Sequence, residues 1–542
     1  MKNSILVFLI IISLATKAQQ ADLILSNGRI FTSDTANLYV EALAIKDGRI
    51  IATGSTSAIE TLSTSQTRKI NLEGKLVVPG FNDAHNHLPN ALKSTFISMS
   101  GLNPSWQSLV DSIKIALNST PEGQFIQAAI GLDIANNPLA TRFVLDKLAP
   151  KNPVLLLSWW GHVGIFNTAG LKAFGISDTQ RDPKGGHYER LPDGKTLTGK
   201  AYEKNAYWPH QNYAKIAALS DNQMIISKLK GISQAMLALG ITSYQNMCTG
   251  ATAEDYLRLW QVAGLPFRLR LIRWGDVNDD GTLSIPSLSL PRKTAVLPLA
   301  TVSGTKWLLE GTPLEEGAAQ VDAYPGKAKW HGQMNYTIPE MEKMCKEAIS
   351  RKDQICFHIG GSHTIGVVLK MMSTMEVDWK SLRPRFEHGD EIDYSPEYLK
   401  IAKELGVIII QNPTHFAPVP GMDSMPSTNH NMALKTLLKV GIPLAIGSDG
   451  PFNPYLNIML ASTHPLRPSE AISREDAVIA YTLTSAYAEF EEQNKGSLVV
   501  GKVADLAVLS QDIFKVPIPQ LLQTESLLTI IDGKIVYNKS GL

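Results

Sequence analysis

Short apolar segments alternate with longer amphipathic segments along most of this chain. Eight of the apolar segments have the length of buried strands, and helix-like stretches separate several of them. They are residues 77–78 running on to 87, 241–244, 267–272, 305–309, 355–358, 385–388, 407–410 and 444–446. Strands that alternate with helices are typical of a parallel sheet, and eight of them predict an α/β fold, a (β/α)8 barrel of the TIM type.

Between the predicted strands, two segments show helical patterns and one is too long to be a crossover. Residues 221–239 form an amphipathic stretch that Gly240 ends, and residues 339–350 form another. Residues 102–200 exceed the length of one crossover and contain apolar runs of their own. We therefore predict an α+β subdomain inserted at about residues 102–200.

The two ends of the chain share a pattern of short alternating strands. Between these strands lie three dipeptides typical of two-residue hairpin turns, Asn27-Gly28, Asp47-Gly48 and Asp532-Gly533. Both ends are therefore predicted to form one composite β-sandwich, from residues 19–79 and 496–542. The barrel, at residues 80–495, is inserted between them.

The first residues have the character of a secretory signal. Lys2 precedes an apolar run at residues 5–15, and small residues follow it. We predict a signal peptide at residues 1–18 and hence export, to the periplasm or beyond the cell. An apolar run this short falls below the roughly 20 residues that span a bilayer, so no membrane span is expected.

Composition and charge narrow the class of protein. The chain has 542 residues, is 44% hydrophobic and 19% charged, and carries a net charge of +1. These values exclude a disordered chain and give no basic surface for nucleic acid. Only three cysteines occur, so stability is expected from a large core instead of disulfides. Nothing in the sequence excludes a homodimer.

Candidate chemistry lies at the ends of the predicted strands. His85 and His87 are two residues apart at the end of the first, so both side chains point to one side, where they can hold one divalent cation. His358, His388 and Asp449 end the fifth, sixth and eighth strands. Since barrel active sites are built from the carboxyl ends of the strands, all five residues are expected to face one mouth.

This pattern resembles the amidohydrolase superfamily, and within it the amidohydrolase-3 branch of YtcJ-like and N-substituted formamide deformylase-like proteins. The resemblance covers nearly the whole chain after the signal. It rests on the residues from Pro79 to His87, Gly161-His162-Val163, Lys306 with Glu310-Gly311-Thr312, His358-Ile359-Gly360, Glu387-His388, Gln411 to His415, Gly447-Ser448-Asp449, and the closing segments from Gly496 and Gly501.

The resemblance implies a metal centre. His85, His87, His358, His388 and Asp449 would hold one or two divalent ions, with zinc the leading choice. Lys306 matches a position where relatives carry a lysine that carbon dioxide can carboxylate, which would let it bridge two metals. The alternative is an unmodified lysine that orients the substrate.

The implied reaction is hydrolysis of a non-peptide C–N bond in a small-molecule amide, either a linear N-formyl or an N-acyl compound. A water activated by the metal would attack the carbonyl while Asp449 takes its proton and passes it to the departing nitrogen. His415 would donate to the developing oxyanion, His162 would reach over the pocket from the insert, and Glu310 would lie at the mouth and contact substrate.

Other functions stay open. A cyclic-amide hydrolase would use the same barrel and metal. A deaminase usually needs a glutamate beside the fifth-strand histidine, and no glutamate adjoins His358. An exported barrel that only binds a ligand would be expected to lose a ligand histidine or Asp449, and this chain keeps them all.

Overall fold

The computed structural model describes residues 20–90, 92–101, 103–203, 221–278, 280–286, 299–327, 329–416, 432–539 and 541. The predicted signal peptide at residues 1–18 lies outside these residues. None of the helices within the described ranges is long and apolar enough to cross a membrane.

The strands of these ranges are numbered in chain order. The first seven are β1 (Leu23–Ser26), β2 (Arg29–Phe31), β3 (Tyr39–Val40), β4 (Ala42–Lys46), β5 (Arg49–Gly54), β6 (Arg68–Asn71) and β7 (Leu76–Pro79). The next eight are β8 (Phe81–Asn86), β9 (Ser94–Ile97), β10 (Phe125–Ile130), β11 (Val154–Ser158), β12 (Val163–Phe166), β13 (His187–Arg190), β14 (Leu197–Tyr202) and β15 (Ile241–Met247). The rest are β16 (Arg268–Trp274), β17 (Asp276–Val277), β18 (Leu283–Ser284), β19 (Ala300–Leu308), β20 (Ile355–Ile359), β21 (Arg385–His388), β22 (Ile408–Gln411), β23 (Leu444–Ile446), β24 (Leu506–Leu509), β25 (Ser526–Ile531) and β26 (Lys534–Asn538).

Helices lie between these strands. The α-helices are Thr56–Glu60, Trp106–Leu117, Leu132–Ala135, Arg142–Leu148, Thr168–Phe174, Asn222–Ala238, Ala253–Ala263, Ile338–Arg351, Ser362–Ser373, Trp379–Leu382, Pro396–Leu405, Leu434–Val440, Pro454–Thr463, Arg474–Ala480 and Leu483–Tyr487. Both helices predicted from amphipathic stretches are confirmed. Asp221 caps the first of them, since its carboxylate accepts bonds from the backbone N–H groups of Gln223 and Met224.

Eight parallel strands form the central sheet. Their order in space is the order of the chain: β8, β15, β16, β19, β20, β21, β22, β23. The first and last strands meet where Asp449 N donates to His85 O at 2.9 Å and Ser448 N donates to Asp83 Oδ1 at 2.9 Å. The predicted (β/α)8 barrel is confirmed.

The first barrel strand is shorter than the sequence pattern suggested. The apolar pair at residues 77–78 belongs to β7, which pairs with β2 and β24 in a different sheet. Gly80 separates β7 from β8, and its backbone lies so close to Thr242 that a Cβ there would fall 2.2 Å from Thr242 Oγ1. The prediction of one continuous strand was wrong, because the chain changes sheets at this glycine.

Strands from both chain ends form two further sheets. One has the order β5-β4-β1-β6 and the other the order β26-β25-β24-β7-β2-β3. Apolar side chains from the two sheets share one core, for example Leu25, Ile45, Val77, Leu506 and Ile530. The chain ends therefore build a composite sandwich, as the fold prediction expected.

Two of the three predicted hairpin turns are present. Asp47-Gly48 joins β4 to β5, and Asp532-Gly533 joins β25 to β26. Asn27-Gly28 is not a hairpin turn, because β1 and β2 that flank it belong to different sheets. A hairpin depends on pairing partners that the dipeptide does not specify.

The inserted subdomain has its own mixed sheet, with the order β13-β14-β12-β11-β10-β9. The helix Trp106–Leu117 covers this sheet, and Leu109 and Ile113 pack with Ile126 and Leu156. The sheet begins at Ser94, earlier than the boundary of about 102 predicted from the sequence, and ends at Tyr202.

Candidate active site

One pocket lies at the carboxyl ends of the barrel strands and is roofed by the inserted subdomain. The predicted site residues that line it are His85, His87, His162, Lys306, His358, His388, His415 and Asp449. The wall also contains Trp159, Trp160, Trp274, Leu308 and Leu314. The structure thus brings together every predicted site residue except Glu310, and sets them beside an apolar wall.

Asp449 lies at the centre of the histidines. Its Oδ1 is 3.1 Å from His87 Nε2 and 3.7 Å from His85 Nε2. Its Oδ2 is 3.9 Å from His388 Nε2 and 3.7 Å from His415 Nε2. Burial would raise the pKa of Asp449, but the neighbouring imidazoles His85 and His87 hold that pKa well below its usual range. The carboxylate is therefore ionised and able to bind a cation.

Groups outside the pocket fix the orientation of the histidine rings. His85 Nδ1 lies 2.6 Å from Glu387 Oε2, and His87 Nδ1 lies 3.0 Å from Thr249 Oγ1. His388 Nδ1 lies 2.8 Å from Asn412 Oδ1. When Nδ1 carries the proton in such a bond, the lone pair of Nε2 is directed into the pocket.

Burial favours the neutral form of four imidazoles in the pocket. Burial lowers the pKa of His85 and of His415, and it lowers those of His358 and His388 well below the ordinary value. His358 Nδ1 lies 3.1 Å from His388 Nε2. Neutral imidazole is the form that binds metal ions, and nitrogens this close suit a shared cation.

The donor set fits a divalent metal. Ligand atoms of His85, His87 and Asp449 lie within 4.8 Å of one another, and so do those of His388, His415 and Asp449. Imidazole nitrogen with carboxylate oxygen is the chemistry of zinc and similar ions. Two groups that share Asp449 would serve one ion or two.

Glu387 is itself held in place from behind. Arg385 donates to Glu387 Oε1 at 2.8 Å through Nε and to Oε2 at 3.0 Å through Nη2. The side chains of Arg385, Glu387 and His85 contact one another in this order, and each is at most 1% exposed. Burial raises the pKa of Glu387, but Arg385, His85 and Lys306 together lower it by more, so the acceptor of the His85 proton is a carboxylate.

Lys306 lies on β19 and is 1% exposed. It lines the same pocket as the histidines, and its charge lowers the pKa values of His85, His358 and His388. Lys306 therefore lies on the wall of the pocket that contains the histidines. Its carboxylation stays a prediction.

His162 reaches the pocket from the insert, just beyond β11. Its ring centroid is 4.9 Å from that of His358. His162 Nδ1 lies 2.8 Å from Glu203 Oε2 and 3.6 Å from Glu315 Oε1. Burial raises the pKa of Glu315, while His162 opposes this. The two carboxylates hold His162 beside His358, and no sequence pattern pointed to either.

Glu310 lies behind the pocket wall and is fully buried. Its carboxylate accepts bonds from the N–H groups of Gly360 and Gly361, both at 2.8 Å, and from Ala319 N and Thr364 Oγ1, both at 2.6 Å. Burial raises the pKa of Glu310 to about 7, while the bonds it accepts lower that pKa. In this position Glu310 holds the loop after β20. The position does not favour the direct substrate contact that was predicted from the sequence.

Curated proteins resemble this chain over most of its length. The profile of the amidohydrolase family matches residues 68–537. The N-substituted formamide deformylase of Arthrobacter pascens is 27% identical over 96% of this chain and 99% of its own length. The putative amidohydrolase YtcJ of Bacillus subtilis (strain 168) is 25% identical over 95% of this chain and 99% of its own length.

Solved structures share the fold. An uncharacterized metal-dependent hydrolase from Pyrococcus horikoshii has a TM-score of 0.69 at 19% identity, covering 92% of this chain and 99% of its own. An adenosine deaminase from Xanthomonas campestris with bound zinc has a TM-score of 0.53 at 14% identity, covering 97% and 94%. At these identities the likeness concerns the fold alone.

Proposed function

This chain belongs to the amidohydrolase family, and from that premise we propose that it hydrolyses a linear N-formyl or N-acyl amide of a small molecule. The resemblance stated from the sequence motifs is confirmed. The chain is a metal-dependent hydrolase that acts on C–N bonds. The kind of amide, the zinc and the residue roles below are our proposal.

The proposed metal ligands are His85, His87, His358, His388 and Asp449, with a carboxylated Lys306 as a bridge if two ions bind. The bound ion, zinc in our proposal, would polarise the substrate carbonyl and lower the pKa of a water. The burial of His85, His358 and His388 supports this set. The rings of His85, His87 and His388 need little reorientation to bind, because their Nδ1 contacts already direct Nε2 into the pocket.

Asp449 carries the acid–base chemistry in this proposal. Its position within 3.1–3.9 Å of four imidazole nitrogens is the observation on which the proposal depends. Because its low pKa keeps it ionised, Asp449 can accept a proton from the attacking water and then deliver it to the departing nitrogen. The products are an amine and a carboxylic acid.

Two histidines are proposed to contact the substrate. His415, in the turn after β22, would donate a hydrogen bond to the carbonyl oxygen as negative charge develops there. His162, held by Glu203 and Glu315, would donate from the insert side of the pocket. The apolar wall with Trp159 and Trp160 suits an organic substituent on the amide.

Release of free amine tests this proposal. The chain from Gln19 onward, loaded with zinc, would be given N-substituted formamides, N-acyl amino acids and cyclic amides. We expect a formamide or acyl amide to be cleaved, and Asp449→Asn to lower kcat by at least about a hundredfold. The matched control is Asp111→Asn, on the exposed face of the helix Trp106–Leu117.

The panel separates the alternatives. Cleavage of ring amides alone would replace the linear-amide proposal with a cyclic-amide hydrolase. Loss of activity equal in Asp111→Asn and Asp449→Asn would contradict the role of Asp449. Cyclic amidines are added to the panel for the last alternative, and ammonia released from them without cleavage of any amide would indicate a deaminase.

We also propose that the chain is exported, because residues 1–18 have the pattern of a signal peptide. Expression of the full chain with a C-terminal tag should yield a processed product that begins near Gln19, outside the cytoplasm. An unprocessed N-terminus in a cytoplasmic fraction would contradict export.

A further inference from the structure

Asp390 is a buried carboxylate on the pocket wall that the proposed mechanism does not use. It is 7% exposed and lines the same pocket as the metal ligands. Within the described ranges of the chain, no group donates a hydrogen bond to its Oδ1. A buried carboxylate oxygen without a donor is unfavourable, and the side chain that carries this oxygen lines the pocket, so the group points to a ligand.

The backbone holds Asp390 in this position. His388 and Gly389 both have positive φ angles, 74° and 59°, and turn the chain sharply after β21. Gly389 N donates to Ile359 O at 2.7 Å, and Met432 N donates to the carbonyl oxygen of Asp390 at 2.7 Å. The side chain is therefore presented from a fixed main chain instead of a loosely held loop.

The carboxylates around Asp390 are occupied within the protein. Glu310 accepts four hydrogen bonds, and Glu391 Oε2 accepts one from Ser362 N at 3.0 Å. Burial, together with the nearby acidic groups of Glu391 and Glu310, raises the pKa of Asp390 to about 7. A cation bound in the pocket would offset this crowding of acidic groups, and a neutral donor would not.

Gly360 keeps one face of Asp390 accessible. A Cβ on Gly360 would lie 3.0 Å from Asp390 Oδ2, so any side chain there would crowd the carboxylate. Gly360 also lines the pocket. The space beside the carboxylate is therefore part of the pocket and can admit a ligand atom.

We propose that Asp390 binds a cationic nitrogen of the substrate, an ammonium or a guanidinium, while the amide lies at the metal ligands. This inference deepens the proposed function and rests on it, because both groups share one pocket. The substrate class is then an N-formyl or N-acyl derivative of a diamine or a similar basic amine. The apolar wall with Trp160 and Leu314 would cover the spacer between its two ends.

Matched substrates test this inference. N-(ω-aminoalkyl)formamides with three to six methylenes would be compared with N-alkylformamides that carry a methyl group in place of the ammonium. For the best spacer, we expect kcat/KM to be at least about tenfold higher for the cationic member, the range of one charged hydrogen bond. In Asp390→Asn, the ratio of kcat/KM for the cationic substrate to kcat/KM for the neutral one should fall to within about threefold of one. This holds even if the variant lowers both values.

Asp393→Asn changes a buried carboxylate of the same segment that pairs with Arg467 at 2.9 Å, and it should keep the preference. A wild-type ratio below threefold at every spacer length would overturn the inference while leaving amide hydrolysis in place. This comparison of substrates uses the wild-type protein alone, so misfolding of Asp390→Asn would not affect it.

A binding measurement separates this inference from the proposed function. The methanesulfonamide analogues of the same pairs are not hydrolysed, and calorimetry on the zinc-loaded protein gives their affinities. Tenfold tighter binding of the cationic analogue, lost in Asp390→Asn, would support the inference even if no amide were cleaved. Equal affinities of the cationic and neutral analogues would overturn the inference. A water molecule would then be the hydrogen-bond partner of Asp390.

Discussion

At the scale of single residues, Glu387 shows how a group that never touches the substrate can control the site. It contacts His85 Nδ1 at 2.6 Å and is clamped by Arg385. In Glu387→Gln the amide is a weaker acceptor for the imidazole proton, so His85 becomes a poorer ligand. We expect a 10- to 100-fold loss of zinc affinity, as found for such supporting groups in general, measured by competition with a chelator.

The matched control for this change is Glu492→Gln. Glu492 pairs with Arg383 at 2.7 Å just before β21 begins, at the end of the strand away from the pocket, so its loss should leave zinc affinity unchanged. Equal affinity in Glu387→Gln and the wild type would show that His85 is oriented by packing alone.

The sequence could predict the residues that converge on the pocket, but not those that support them. His85, His358, His388 and Asp449 each end a recognisable strand, so barrel geometry places them together. Glu387 is also in a recognisable motif, yet its partner His85 lies 302 residues away and could not be identified. Asp390 carried no signal, because its burial follows from a backbone turn that only the folded structure shows.

At the scale of elements, the closure of the barrel depends on Gly447. A Cβ at this position would lie 2.4 Å from His85 N and 2.6 Å from His85 Cβ. Gly447→Ala must therefore push β23 away from β8 and displace His85 and Asp449 relative to each other. We expect a loss of about 1–3 kcal/mol in the free energy of unfolding, together with weaker zinc binding.

Gly231→Ala is the matched control for Gly447→Ala. Gly231 lies in the helix Asn222–Ala238, and nothing lies within 4 Å of a Cβ placed there. Its replacement should raise the free energy of unfolding by about 0.5–1 kcal/mol, because alanine favours the helix. Denaturant unfolding of both variants checks the pair, and a stable Gly447→Ala with unchanged zinc affinity would contradict the role of this close approach.

Helices and turns could be predicted where their sequence pattern depends only on neighbouring residues. The helix after Asp221 and the turn at Asp47-Gly48 depend on neighbouring residues, and both predictions are confirmed. The turn at Asn27-Gly28 and the strand assignment of residues 77–78 were wrong, because both depend on which sheet the chain enters. That choice is made by distant pairing partners, such as β24 for β7.

At the scale of the whole molecule, a buried ion pair joins the barrel to the sandwich. Arg268, at the start of β16, donates to Asp505 Oδ2 at 2.6 Å and to Oδ1 at 3.0 Å, and also contacts Asp532. Asp505→Asn leaves the Arg268 charge buried with a weaker partner. We expect a loss of about 3–5 kcal/mol in the free energy of unfolding, measured with denaturant.

The control for the ion pair is Asp512→Asn. Asp512 pairs with the partly exposed Arg29, so its change should cost about 1 kcal/mol or less. If both variants unfolded at the same denaturant concentration, the barrel and the sandwich would be joined by apolar packing without help from Arg268.

Metal binding should stabilise the whole chain, because its proposed ligands come from β8, β20, β21 and the turn after β23. An unfolded chain cannot hold these side chains together, so zinc binds the folded state preferentially. At a free zinc concentration about 100 times Kd, we expect a gain of about 2.7 kcal/mol, seen as a higher Tm than that of the chelator-treated protein. The double variant His85→Ala/His87→Ala should show the same Tm with and without zinc. An equal zinc-dependent rise in the variant and the wild type would place the stabilising ion elsewhere in the protein.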